Sequence, residues 1–229
     1  GMGAITPAGV GVEALWKAVM GRECCIRPIE RFDTTDYEVH NAGEIRGFDT
    51  TEHGLTKKES RRFERFVQYA IVASDEAIAQ AGLSMEDEDP SRVSVVFGSG
   101  IGGIATFMTE HSKLLNRGPR RVSPYFIPMM IPNMASSMIA IRYHFHGPAM
   151  PMVTACASGT NAIGEALRLI RHGYADAMVA GGAEATVNAL AAAGFSNMQA
   201  LSPSEDPNAT SLPFDVRRAG FVMGEGSGV

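Results

Sequence analysis

Val153-Thr-Ala-Cys-Ala-Ser-Gly-Thr-Asn-Ala-Ile-Gly164 decides how this chain is read. The run leading into it, Pro148-Ala-Met-Pro-Met-Val153, is short, apolar and β-prone. The run after it, Glu165-Ala-Leu-Arg-Leu-Ile-Arg171, is built of helix formers, with Leu167 and Ile170 three apart. The pattern predicts strand, tight turn and helix, with Cys156 in the turn. A thiol at a helix N-terminus faces free backbone N–H groups and the positive end of the helix dipole, and both favour thiolate, the reactive form. Ala155, Ala157, Ser158 and Gly159 are small enough for a substrate or a second backbone to come close. Spacing alone leaves two readings of Cys156 open: a nucleophile, or a buried and inert core thiol.

Working outward, Ala177–Ala180 is a short apolar strand ending in Gly181-Gly182. Strand, cysteine helix and strand then form a βαβ crossover, which requires a parallel sheet. Upstream, Arg92–Phe97 carries Val93, Val95, Val96 and Phe97 and reads as another strand. It runs into Gly98-Ser-Gly-Ile-Gly-Gly103, formally the dinucleotide fingerprint. That motif needs an acidic residue about 20 positions on, at the end of a second strand. Arg120, Arg121, Val122 and Ser123 stand there instead. A close-packed glycine turn is the better reading, and no nicotinamide or flavin is implied.

Val12–Met20 is predicted as a short amphipathic helix anchored by Leu15, Trp16 and Val19. Residues 31–49 lack helical periodicity and read as loop with short strands. Thr56 with Glu59 forms a capping box that opens the longest predicted helix, which runs to Ala81 and stops at Gly82. Phe63, Phe66, Val67, Ala70, Ile71 and Ala77 make its apolar stripe. Its other face carries Lys57, Lys58, Arg61, Arg62 and Arg65, with Lys57, Arg61 and Arg65 four apart. Such a cluster is either a solvated face partly neutralised by Glu59 and Glu64, or a landing place for an acidic partner. Ile104–Asn116, Asn133–His144 and Val187–Ala193 read as further helices, and Ser202–Leu212 as a polar surface loop. Phe221–Met223 is expected to start a last strand. Three prolines argue against a helix in Ser123–Pro132, an apolar stretch that a partner surface should cover.

The 229 residues are 45% hydrophobic and 20% charged, which suits a globular α/β body of one or two domains. No apolar run approaches the ~18 residues of a membrane span, and no signal peptide is visible. The cysteines Cys24, Cys25 and Cys156 have neither disulfide nor zinc spacing, so no metal is expected and a reducing cytoplasm fits best. Cys24 and Cys25 are given no role. A net charge of −5 argues against nucleic-acid binding.

The cysteine stretch resembles the active-site motif of the β-ketoacyl-acyl-carrier-protein synthases, the condensing enzymes of fatty acid and polyketide synthesis. The likeness continues through Gly1-Met-Gly-Ala-Ile-Thr-Pro7, Gly98–Gly103, Ser123-Pro-Tyr-Phe-Ile-Pro128, Asp176-Ala-Met-Val-Ala-Gly-Gly-Ala-Glu184 and Pro213-Phe-Asp-Val-Arg-Arg-Ala-Gly-Phe-Val-Met-Gly-Glu-Gly226. Order and spacing resemble those of the elongating type, synthase II. The resemblance implies an α/β thiolase-like fold: a mixed, mostly parallel sheet with helices on both faces. Residues 1–229 would be its N-terminal half, lacking a first strand ahead of Gly1. It further implies a homodimer, with Cys156 carrying the acyl chain as a thioester.

By the same resemblance Phe107 lines the acyl pocket near the dimer interface and restricts chain length, and Phe126 lies near the neighbour's pocket. An acidic acyl carrier protein is the implied partner for Lys57, Lys58, Arg61, Arg62 and Arg65. No cofactor is implied beyond the phosphopantetheine carried by the substrate. Asp215 and Arg218 are expected to pair and hold their loop. The family's two catalytic histidines and its lysine have no counterpart here: His40, His53, His111, His144, His146 and His172 all stand in other contexts. Condensation by these residues alone is therefore not expected. A biosynthetic thiolase, a chain-length factor and a non-catalytic assembly subunit are the competing readings; Cys156 and its neighbours argue against the first two.

Overall fold

A computed structural model describes all 229 residues. The chain opens with β1 (Ala4–Thr6), β2 (Gly9–Val10) and α1 (Val12–Gly21), followed by an excursion holding β3 (Arg27–Pro28), β4 (Asn41–Ala42) and a short 3-10 turn (Thr50–His53). Then come α2 (Lys57–Arg62), α3 (Arg65–Ala81), β5 (Val93–Gly98), α4 (Ile104–Arg117), α5 (Phe126–Met130) and α6 (Met134–Tyr143). The crossover unit is β6 (Ala149–Met152), α7 (Ser158–Arg171) and β7 (Ala177–Glu184); α8 (Ala189–Asn197) and β8 (Gly226–Gly228) complete the order.

Six strands form one sheet in the order β2-β1-β8-β7-β5-β6. The centre is parallel, with Val95 of β5 opposite Ala149 of β6 on one side and Val179 of β7 on the other. The β6–α7–β7 crossover therefore passes over β5, as a parallel βαβ unit must. The other edge is antiparallel: β8 runs against both β7 and β1, and β1 against β2. The α3 and α6 helices pack on one face and α7 on the other. All six residues of β5 are buried, and their side chains alternate between two cores. Val93, Val95 and Phe97 join Phe66, Val67, Ile71 and Ile139 on the α3/α6 side. Val96 meets Ala162 and Leu169 on the α7 side. Each buried Val, Leu, Ile or Phe among them contributes roughly 1.5–3 kcal/mol by leaving water.

The predicted helix from Thr56 to Ala81 is two helices. Its capping box is present, and Gly82 ends it in the left-handed conformation. But Phe63 is extended (φ −105°, ψ 130°), and Glu64 caps a new helix by accepting from the Phe66 N–H at 3.0 Å. The reason is burial. Residues Phe66 to Ser74 are buried nearly all round except Gln68. A straight continuation would carry Glu59 and Arg62 along the line of Phe66 and Tyr69, seven positions on, into the core. The break lets polar α2 leave.

Four smaller expectations also change. In α1 only Ala18 is buried; of the three expected anchors Leu15 is half-buried, while Trp16 and Val19 are 62% and 56% exposed. The proline-rich stretch does form a helix, α5, with Pro128 in its first turn, where no N–H is needed. The glycines at 181 and 182 lie inside β7 rather than ending it, because a Cβ on Gly181 would strike the Gly228 carbonyl of β8. The last strand is at 226–228, and Phe221 makes only an isolated bridge with Leu201.

Candidate active site

The cysteine sits where β6 hands over to α7. Val153 to Ala157 form a tight loop in which Ala155 takes a positive φ of 51°, a conformation that costs a non-glycine residue about 1 kcal/mol or more. Ser158 holds it there. Its hydroxyl accepts from the Thr154 N–H (2.9 Å) and donates to the Ala155 carbonyl (2.6 Å). The Asn161 amide donates to the Thr154 hydroxyl at 2.8 Å. The result presents Cys156 two residues ahead of α7, exposed, on the wall of a cavity of about 1000 Å³. Here Cys156 is exposed rather than packed in a core. The N–H groups of Cys156, Gly159 and Thr160 have no backbone acceptor.

Small residues let the sheet meet this helix end on. A Cβ on Gly98 would lie 2.5 Å from the Ser158 carbonyl carbon, and one on Gly182 would lie 3.0 Å from Gly159 Cα. The glycine turn after β5 forms the adjoining wall, and Gly100 and Ile101 face the cavity. Its anion is built in. The Glu184 carboxylate accepts from the N–H of Gly100 (2.7 Å) and Ile101 (3.2 Å) and from the Ser99 hydroxyl (3.2 Å). Burial pushes the Glu184 carboxyl up, against those bonds. The N–H groups of the glycine turn are thus bonded by a side chain of this same chain.

A buried charge cluster lies beneath the cavity floor. Arg31 grips Glu225 with both guanidinium nitrogens, and Glu225 also accepts from the Ile45 N–H (3.1 Å) and the Tyr69 hydroxyl (3.4 Å). Burial pushes both Glu225 and nearby Glu64 up, Glu64 to about 7. Sequence reasoning missed this group: its members are scattered from residue 31 to residue 225, and only Tyr69 falls inside a helix interior. Met223, Gly224 and Gly226, which flank Glu225, line the cavity.

The other expected site residues are not gathered here. Phe107 and Phe126 lie near each other (6.4 Å between ring centroids), with Phe107 stacked on His111, but neither lines the Cys156 cavity. The bulky side chain of the glycine turn that does so is Ile101. None of the six histidines lines it. Lys57, Lys58 and Arg61 are exposed on α2, Arg62 lies over the Tyr125 ring at 4.8 Å, and Arg65 belongs to the next helix. The single four-apart row of basic residues is therefore broken. Asp215 pairs with Arg217 (2.7 Å) rather than Arg218, whose guanidinium reaches only the Asp215 carbonyl.

Helices on both faces of a mixed sheet, with a cysteine loop feeding the helix that crosses its centre, define a thiolase-like protein. The sequence profile described as "Beta-ketoacyl synthase, N-terminal domain" matches residues 1–229, and the chain belongs to that family. It is 48% identical over 229 residues to the 3-oxoacyl-[acyl-carrier-protein] synthase 2 of Staphylococcus aureus (strain N315), covering 100% of this chain and 55% of that protein. The structure is similar to the crystal structure of a β-ketoacyl synthase from Burkholderia phymatum STM815 (TM-score 0.87, 30% identity, covering 100% of this chain and 56% of that one). It is also similar to a type II polyketide ketosynthase, AntDE, solved with its acyl-carrier protein AntF (TM-score 0.82, 27% identity, 100% and 55% covered). The chain spans about half the length of the curated relatives it matches.

Proposed function

We propose that this chain supplies the acyl-accepting half of a β-ketoacyl-acyl-carrier-protein synthase. Cys156 attacks the thioester of an acyl carrier protein; the new sulfur–carbon bond forms as the carrier's thiol leaves with a proton. The unpaired Cys156 N–H is a donor for the developing oxyanion. Malonyl thioester then loses carbon dioxide, and its carbanion attacks the acyl-cysteine, releasing the sulfur. The second step needs donors for the enolate oxygen, and none of the six histidines lines this cavity.

The reading is carried by one observation: an exposed thiol, beside unpaired N–H groups, on the wall of a cavity large enough for an acyl chain. The complete protein is proposed to be a cytoplasmic homodimer without a resident cofactor, the phosphopantetheine arm arriving with the carrier. No helix here is long and apolar enough to cross a membrane. Phe107 and Phe126 are proposed to meet an acyl pocket across the dimer, and the α2 basic residues to receive the acidic carrier.

Cerulenin, an electrophilic thioester mimic, tests the nucleophile. In the full-length protein it should label Cys156 stoichiometrically, leave Cys24 and Cys25 unmodified, and fail on Cys156→Ala. No label on Cys156 would instead favour a non-catalytic assembly subunit.

A further inference from the structure

We propose that Glu184 is a positioning residue for Cys156, a role that rests on reading Cys156 as the acyl acceptor. Glu184 is the last residue of β7, just past the point where Gly182 stands opposite Gly98 of β5 in parallel register. Its side chain thereby reaches the turn that follows β5. Three donors converge on it: the Gly100 and Ile101 N–H groups and the Ser99 hydroxyl. Ser99 Oγ in turn accepts from the Gly102 N–H at 3.1 Å, so one carboxylate closes the whole turn.

The turn lies beside the cysteine loop, and Gly100, Ala155 and Cys156 line the same cavity. A Cβ on Gly100 would lie 3.0 Å from Glu184 Oε2 on one side and 3.4 Å from the Ala155 carbonyl oxygen on the other. Ala155 is the strained residue before the nucleophile, and its carbonyl is the group that Ser158 grips. The path from carboxylate to sulfur thus runs from Glu184 to the 99–102 turn it bonds, across the narrow space beside Gly100 to Ala155, and along the chain to Cys156. Without the carboxylate, the Gly100 and Ile101 N–H groups and the Ser99 hydroxyl lose their acceptor. The turn then relaxes, and the narrow spacing between it and the Ala155 carbonyl is no longer fixed. Glu184 touches no reacting atom in this scheme. It acts by holding the loop, and small displacements of a nucleophile are costly in rate.

The test compares Glu184→Ala, Glu184→Leu and Glu184→Gln in the full-length protein. The readout is acylation of Cys156 by a short acyl thioester, with iodoacetamide alkylation of Cys24 as control in the same molecule. Ala and Leu should slow Cys156 acylation about tenfold or more, in the first-order rate rather than in KM. Gln keeps an acceptor for the two N–H groups and should stay within about threefold of the parent. Cys24 should react at the parent rate throughout.

An Ala variant acylating at the parent rate overturns the proposal. So does rescue by Leu, which would mean that the side chain acts by filling space. Should Ala and Leu both abolish folding, Ser99→Ala replaces them: it removes one bond to the carboxylate and should slow acylation about threefold, and a parent rate there also overturns the proposal. A parent protein whose Cys156 takes no acyl group sinks the acyl-acceptor reading itself, and this one with it.

Discussion

At Glu64 the backbone needs an acceptor while the core resists a charge. The side chain caps α3 through the Phe66 N–H, yet it is buried beside Glu225. Burial, with the Glu225 charge adding to it, raises its pKa from 4.5 to about 7. The folded state therefore holds a proton that the unfolded chain has released between those values. Stability falls as pH rises from about 4.5 to 7, by on the order of 3 kcal/mol in all, and Glu225 adds a loss of the same sign. Urea denaturation of the full-length protein should give a lower midpoint at pH 8 than at pH 5.5. Glu64→Gln, which keeps the capping oxygen, should narrow that gap; a parent midpoint equal at both pH values would refute the account. Cys156 was legible from its neighbours because turn and helix are local. Glu64 was not: in sequence it looks like one more charge on a polar face, and only packing shows that it points inward.

Among the elements, the junction of β5, β7 and α7 carries the site, and it depends on absent side chains. Gly98→Ala would set a methyl against the Ser158 and Gly159 backbone, which has no rotamer to yield. The strand end and the helix must part, at a cost of about 3 kcal/mol or more, and cerulenin labelling of Cys156 should fall with the thermal midpoint. A Gly98→Ala protein as stable and as readily labelled as the parent would mean that this contact is not tight in solution. Thr56→Ala tests the other well-read element. It removes the α2 cap and should cost about 1 kcal/mol with no effect on labelling. Capping box, C-terminal glycine and β-branched runs were readable because each is a local preference of the backbone. The break at Phe63–Glu64 was not, because helix propensity runs unbroken across it. It comes from the need to keep Glu59 and Arg62 out of the core.

Across the whole molecule, charge and exposed apolar surface are unevenly spread. The chain carries −5, yet Lys57, Lys58 and Arg61 project together from α2. Arg62 is engaged over Tyr125, so Lys58 and Arg61 are the better probes of the proposed carrier contact. Reversing both to Glu should raise KM for a carrier-linked acyl group about tenfold at low salt, less at high salt, and leave a short free thioester unaffected. Equal effects on both substrates would return α2 to a plain solvated face. The α7 helix also turns Ile163, Leu167 and Ile170 outward, the last two being the apolar pair the sequence pattern had marked. Sequence by itself determined the strand–turn–helix around Cys156, the parallel crossover and the family, since each is written in neighbours close along the chain. Only the tertiary structure decided that Glu184 fills the glycine turn, that Arg31 clasps Glu225 across 194 positions, and that Ile101 rather than Phe107 faces the cysteine's cavity. Those pairings are fixed by how strands stack side by side, and strand order is set by the burial of the whole sheet rather than by any local stretch.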